Sequence, residues 1–136
     1  MDYLEFHNPP DIAPPRATYS HSVRSSGDVL WLSGQVPIDE RGDTVGLGDV
    51  ATQLERVMHN VERILAAGGA SWGHVVRFTM YVVGAENVDG ARAARAKLWP
   101  KLYPSGAYPT STFLVVDRLA SEEFLVEVET TAVLPR

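Results

Sequence analysis

The sequence predicts a single α+β domain in which two helices pack on one face of a mixed β-sheet, in the order β-β-α-β-α-β-β. Apolar residues recur at helical spacing between Asp49 and Gly68, which indicates an amphipathic helix. Residues 74–83 and 124–133 instead alternate apolar and polar side chains, as half-buried strands do. The chain has 136 residues and is 45% hydrophobic, so we expect one domain over residues 1–136.

The N-terminal segment, residues 1–17, is expected to be an extended arm. Four prolines fall within residues 9–15, and proline disfavours a helix because it lacks an amide hydrogen and restricts the residue before it. Two short strands follow at residues 21–24 and 29–33, separated by the turn-forming sequence Ser-Ser-Gly-Asp. This arrangement predicts a β-hairpin.

Two helices are predicted. The first begins after Asp49, a suitable N-cap, and ends at Gly68. Its large apolar residues form one stripe, which places Gln53 on the solvent-facing side. The second covers residues 88–102, an alanine-rich segment that Pro100 is expected to cut or kink.

Three further strands complete the predicted sheet, at residues 74–83, 112–116 and 124–133. Because both helices lie on one face, the other face of the sheet is left without cover. An exposed apolar sheet face is typical of dimers and trimers, so we expect the chain to self-associate.

The composition disfavours several classes of function. The formal net charge is −5 at pH 7 and Lys and Arg form no cluster, so nucleic-acid binding is not expected. The chain has no cysteine, which excludes disulfides and a thiolate nucleophile. No apolar segment approaches the ~18 residues that span a bilayer and no signal-peptide pattern is present, so we expect a cytoplasmic protein that acts away from membranes.

Motifs for cofactors are absent from the sequence. It contains no phosphate-binding loop, dinucleotide-binding motif, zinc-protease motif or hydrolase elbow. The four histidines lie on separate predicted elements without the spacing of metal ligands. Neither a cofactor nor a metal site is therefore expected.

Two hydroxyls stand at the mouth of a predicted strand. Thr110 and Ser111 follow Pro109 and precede an apolar run, as at the start of a buried strand. Strand ends are where soluble folds often present ligand-binding groups. These side chains are therefore candidates for binding a ligand.

Two further positions are candidates, each with a simpler alternative. Ser33 and Gly34 follow an apolar strand, and the glycine would let a ligand approach the backbone; the alternative is a strand end with a bend. Glu127 shares one face of the last strand with Glu129, where the alternative is a solvated strand edge.

Taken in order, six segments resemble the Rid family, of the YjgF or RidA-like type. They are Tyr19-Ser20, LWLSGQVPID at 30–39, the helix at 53–70, the strand at 74–83, the proline-led strand at 109–116 and VEVETTA at 126–132. The resemblance covers nearly the whole chain. The SGQ triplet, the helix that ends in two glycines and the terminal V-E-V-E agree with the family in order and spacing.

The resemblance implies a chorismate-mutase-like fold assembled as a homotrimer, with a small-molecule metabolite bound in clefts between subunits. It also implies hydrolysis of reactive enamines and imines, such as 2-aminoacrylate, to 2-keto acids and ammonia. In the archetype an arginine two residues after the strand-opening proline binds the substrate carboxylate. Ser111 stands at that place here, so a substrate other than 2-aminoacrylate is expected.

The resemblance also assigns roles to individual residues. Glu127 is expected to orient or activate a water, and Tyr19 to close the cleft. Main-chain groups at Ser33 and Gly34 are expected to steady the polar end of the substrate. Thr110 keeps the pocket polar.

Arg92 offers a replacement for the missing cation. The family commonly has an asparagine at this place early in the second helix, near the cleft, so an arginine there would supply an anion-binding group from the opposite wall. The alternative is an exposed helix arginine beside Arg95, because both arginines suit a solvated face.

Two functions remain open at this point. One is a Rid-like hydrolase or deaminase that acts on an imine, an enamine or a related unstable metabolite. The other is a non-catalytic trimer that binds a small metabolite or a partner protein in the same cleft. The older family descriptions as ribonuclease or translation inhibitor rank third, because the sequence has no basic groove.

Overall fold

A computed structural model describes residues 3–136 of the chain. Within this range, six strands and two helices follow in the order β-β-β-α-β-α-β-β. Their bounds are β1 Leu4–His7, β2 Ser22–Ser25, β3 Asp28–Gln35, α1 Val50–Ala67, β4 Val75–Val83, α2 Val88–Leu102, β5 Thr110–Val116 and β6 Val126–Leu134. The predicted α+β fold is confirmed, with one additional strand near the start of the chain.

The main sheet has four strands in the order β3-β6-β4-β5. Strands β4 and β5 are parallel, whereas β6 is antiparallel to both β3 and β4, so the sheet is mixed. Both helices cover the same face, where their apolar side chains form one core with Phe78 and Met80 of β4 and Val128 of β6. No helix within residues 3–136 is long and apolar enough to cross a membrane.

The predicted hairpin between the strands at residues 21–24 and 29–33 is wrong. Strand β2 pairs with β1 in a separate two-stranded sheet, and β3 pairs with β6. Leu30 and Leu32 of β3 pack in or against the core, so β3 needs a neighbour from the main sheet. The polar β2 adds nothing to that core and pairs instead with β1, inside the predicted N-terminal arm.

Two boundaries near the candidate site differ from the prediction. Strand β5 begins at Thr110 rather than at residue 112, so Thr110 and Ser111 are part of the strand. Helix α2 continues through Pro100 to Leu102 and is not cut there. Pro100 stands in the last turn, where it removes the hydrogen bond to the carbonyl oxygen of Ala96, and the helix ends two residues later.

Helix α1 is fixed to two loops by the side chain of Gln53. This residue was expected to face solvent but is fully buried. Its Nε2 donates to the carbonyl oxygens of Gly46 (3.1 Å) and Glu123 (2.9 Å), and its Oε1 accepts from the amide of Leu125 (2.8 Å). A polar residue lies on the buried face because it satisfies backbone groups that no strand or helix pairs.

The face of the sheet opposite the helices is open. Side chains alternate along β3, so Val29 and Trp31 point away from the core that Leu30 and Leu32 enter. Trp31 is 77% exposed, and Val29 is exposed as well. Leu114 of β5 adds a further exposed apolar side chain.

Gln53→Ala is expected to lower the free energy of unfolding by about 2–4 kcal/mol, because it leaves partly buried backbone groups of both loops without partners. Chemical denaturation followed by circular dichroism measures the change. The matched control Glu55→Ala, at an exposed position of α1, should change stability by less than about 0.5 kcal/mol. Equal effects of the two substitutions would contradict this role for Gln53.

Candidate functional site

A groove with a volume of about 770 Å³ lies between helix α2, strand β5 and the segment of residues 16–19. Three of the residues predicted from the sequence line it, namely Tyr19, Arg92 and Ser111. Arg95 of α2 lines it as well. The groove is therefore the first candidate for a ligand site.

The guanidinium of Arg95 connects the three walls of this groove. Nε donates to Oγ1 of Thr18 (3.0 Å), Nη2 donates to the carbonyl oxygen of Thr18 (2.8 Å), and Nη1 donates to Oγ of Ser111 (3.0 Å). The guanidinium carbon also lies 5.0 Å from the ring centroid of Trp99, a cation–π contact. One side chain thus joins α2 to the N-terminal segment and to β5.

Arg95 is a buried charge without an acidic partner. The residue is only 6% exposed, and none of the ion pairs among residues 3–136 includes its guanidinium. Burial lowers the pKa of Arg95 to about 10, while the nearby Tyr19 acts in the opposite direction. The guanidinium therefore remains positively charged at neutral pH.

The expectation that Arg95 lies on a solvated face is wrong. Ala91, Arg95 and Trp99 are all buried, whereas Arg92 is exposed and lies at the rim of the groove. The sequence held a signal for this placement, because Arg95 stands four positions from both Ala91 and Trp99 and so shares their face of the helix. Its charge argued against burial and concealed that signal.

The segment that carries Tyr19 is fixed against the start of β5. The hydroxyl of the next residue, Ser20, donates to the carbonyl oxygen of Tyr108 at 2.6 Å. The phenolic oxygen of Tyr19 accepts from the amide of Arg16 at 3.3 Å, which leaves the phenolic hydrogen available to donate. Tyr19 is half-buried and forms part of the groove wall.

The three consecutive hydroxyls of β5 have three different partners. Thr110 donates to a carbonyl oxygen of β4 at 2.8 Å, and Thr112 accepts from Nη2 of Arg77 at 2.7 Å. Ser111 accepts from helix α2. Because side chains alternate along a strand, only the hydroxyl of Ser111 lies in the groove.

Glu127 lies on the opposite, open face of the sheet. It stands across from Tyr81 of β4, and its carboxylate fills the space beside Gly34, where an added Cβ would overlap it. Gly34 and the exposed Ser33 form a β-bulge in β3 at this point. Burial raises the pKa of Glu127, and repulsion from Glu129 raises it further.

Six of the seven predicted site residues form two groups on the two faces of the sheet. The seventh, Thr110, was expected to keep the pocket polar, but its hydroxyl donates to a carbonyl oxygen of β4 and does not line the groove. The groove group is Tyr19, Arg92 and Ser111, and the open-face group is Ser33, Gly34 and Glu127. A single chain does not bring the carboxylate of Glu127 to the groove. Between Tyr3 and Arg136, no three or more metal-ligating side chains are grouped so that they could hold a metal ion.

The sequence and the fold both match a known family. The family model described as endoribonuclease L-PSP matches residues 11–134. A solved structure from Yersinia pestis, described as a protein of unknown function of the conserved Rid family, is 32% identical and has a TM-score of 0.86, covering 97% of this chain and 99% of that chain. The chain belongs to the Rid family.

Rid-family relatives differ in what their names state. Protein DfrA of Myxococcus xanthus is 36% identical over 101 residues, which cover 65% of this chain and 77% of that protein. The 3-aminoacrylate deaminase RutC of Acinetobacter baylyi is 24% identical over 124 residues, 91% of this chain and 93% of that protein. One Rid relative is therefore named as a deaminase of a small enamine.

Glu127→Gln is expected to stabilise this Rid protein more at neutral pH than below about pH 4. The raised pKa means that folding favours protonated Glu127, so its contribution to stability is lost as the pH rises through the folded-state pKa, and glutamine removes that loss. Denaturation of both proteins across this pH range measures the difference. A difference in stability that is the same at all pH values would contradict it.

Proposed function

We propose that this Rid-family chain hydrolyses an imine or enamine of a small metabolite other than 2-aminoacrylate. An enamine first becomes the imine by moving a proton from nitrogen to carbon. The oxygen of water then bonds to the imine carbon, the carbon–nitrogen bond breaks, and the protons of water leave with the nitrogen as ammonia. The products are a carbonyl compound and ammonia.

The observation that carries this proposal is the Glu127 carboxylate held against Gly34 with a raised pKa. A carboxylate whose pKa is raised is a stronger base than an ordinary one, and general bases work best with a pKa near the operating pH. Glu127 therefore suits the removal of a proton from the attacking water. The family relation to a named 3-aminoacrylate deaminase supports the same class of reaction.

The active unit is a homotrimer with its clefts between subunits. Glu127 and the groove lie on opposite faces of one sheet, so a complete site requires Glu127 of the partner subunit beside the groove. The open face supports assembly, because Trp31 and Leu114 leave apolar surface that a second copy would cover.

The substrate follows from Ser111. In the Rid archetype that this sequence resembles, an arginine at this position binds the carboxylate of 2-aminoacrylate. A neutral hydroxyl binds a carboxylate far less strongly. Strand β5 therefore supplies no cation for the carboxylate, and a groove of about 770 Å³ is large for a three-carbon enamine, so 2-aminoacrylate should be a poor substrate. Larger imines that reach across the groove are better candidates.

The alternative is a non-catalytic trimer that binds a metabolite. A measurement of imine hydrolysis distinguishes the hydrolase from this binding protein. Imines generated in place by an amino acid oxidase should be hydrolysed faster with the wild-type protein than in buffer. Glu127→Gln should lower that rate by about 10²-fold or more, because it removes the base. Fastest turnover of 2-aminoacrylate, or equal rates for wild type and Glu127→Gln, would contradict the proposal.

Assembly is tested separately by light scattering after gel filtration. The wild type should have about three times the chain mass of 14.9 kDa. Trp31→Glu should dissociate it, because a charge replaces apolar surface on the open face, whereas Leu47→Glu, at a site 66% exposed in the loop before α1, should not. A wild-type monomer would exclude a site shared between subunits.

A further inference from the structure

The guanidinium of Arg95 has hydrogen-bond donors that its own chain does not use. Each terminal nitrogen of a guanidinium carries two N–H groups. Nη1 and Nη2 each make one hydrogen bond, to Ser111 and to Thr18, so one N–H on each has no partner among residues 3–136. Every acceptor that Arg95 does have is neutral.

A buried charge with only neutral acceptors favours an anion. Removing an ion from water costs several kcal/mol unless a charge of opposite sign compensates it. No acidic side chain within the described chain does so at Arg95. The groove opens directly onto the residue, so a ligand can supply the negative charge.

The remaining walls of the groove are largely apolar. Ala93 and Ala96 of α2 face Phe113 and Val115 of β5 across it. The volume of about 770 Å³ exceeds what a three-carbon enamine needs and falls within the range of sites for larger organic ligands. Of the three arginines that line the groove, Arg16 and Arg92 are exposed and only Arg95 is buried. One buried cation beside apolar walls suits a ligand with one carboxylate and an apolar group.

We propose that Arg95 is the anion-binding residue of this site, and that the groove takes a monocarboxylate bearing an apolar side chain. The carboxylate bonds to the N–H groups that Nη1 and Nη2 leave unused, and the apolar group lies against Ala96 and Phe113. This inference rests on the proposed function, because it names the class of imine acid that the same site hydrolyses. The cation comes from helix α2, whereas strand β5 contributes only the hydroxyl of Ser111.

Calorimetric titration with phenylacetate, phenylacetamide and phenyl phosphate tests the proposal without requiring turnover. Phenylacetate should bind at least about tenfold more tightly than phenylacetamide, because only the acid forms charge-assisted hydrogen bonds. Arg95→Gln should reduce phenylacetate to the affinity of the amide. Arg63→Gln, an exposed arginine of α1, is the matched control and should bind phenylacetate normally.

A second variant covers the case in which Arg95→Gln does not fold. Ala96→Trp fills the groove from an exposed helix position and leaves the guanidinium in place, so it should abolish phenylacetate binding with an unchanged melting temperature. Equal binding of acid and amide, tighter binding of phenyl phosphate, or a loss with Arg92→Gln but not with Arg95→Gln would overturn the proposal.

The two proposals fail in different ways. Glu127→Gln should still bind phenylacetate, although its rate of imine hydrolysis should fall by about 10²-fold or more. Acid binding by a wild-type protein that hydrolyses no imine would refute the proposed function alone. Hydrolysis of imines without any preference for acids would refute the role of Arg95 alone.

Discussion

The guanidinium of Arg95 is the contact on which the groove depends. It bonds to Thr18 of the N-terminal segment and to Ser111 of β5 while its own helix supplies the third wall. The same side chain lies over Trp99, so the charge is held in place by the core below it. The anion that we propose as ligand would offset the electrostatic cost of this buried cation, whose partners in the chain are all neutral.

Strand geometry imposes the second constraint. Side chains alternate along a strand, so the residues of β5 and β6 that carry polar groups are divided between two faces of one sheet. Ser111 lies under helix α2, and Glu127 lies on the open face against Gly34. The homotrimer that we propose would resolve this separation, because the open face of one copy would meet a neighbouring copy. Trp31 is exposed on this face, whereas burial within the chain and repulsion from Glu129 raise the pKa of Glu127.

The sequence predicted the fold well, because helical and strand periodicities are properties of the core face. The prediction was wrong where a polar side chain occupies a position on the buried face of a helix. Gln53 and Arg95 were both assigned to solvent, and both are buried. Each lies at helical spacing among apolar neighbours, but its backbone partners come from distant segments that periodicity does not reveal. The predicted hairpin between residues 21–24 and 29–33 was wrong for a related reason. Strand pairing depends on which neighbouring strand lets the apolar side chains enter the core, and order along the sequence does not decide this.

The most direct measurement is a crystal structure of the assembled protein with bound phenylacetate. The account predicts its carboxylate within about 3 Å of Nη1 and Nη2 of Arg95, with Glu127 of the partner subunit facing the same groove. A carboxylate bound elsewhere, with the guanidinium of Arg95 contacting only Thr18 and Ser111, would contradict it.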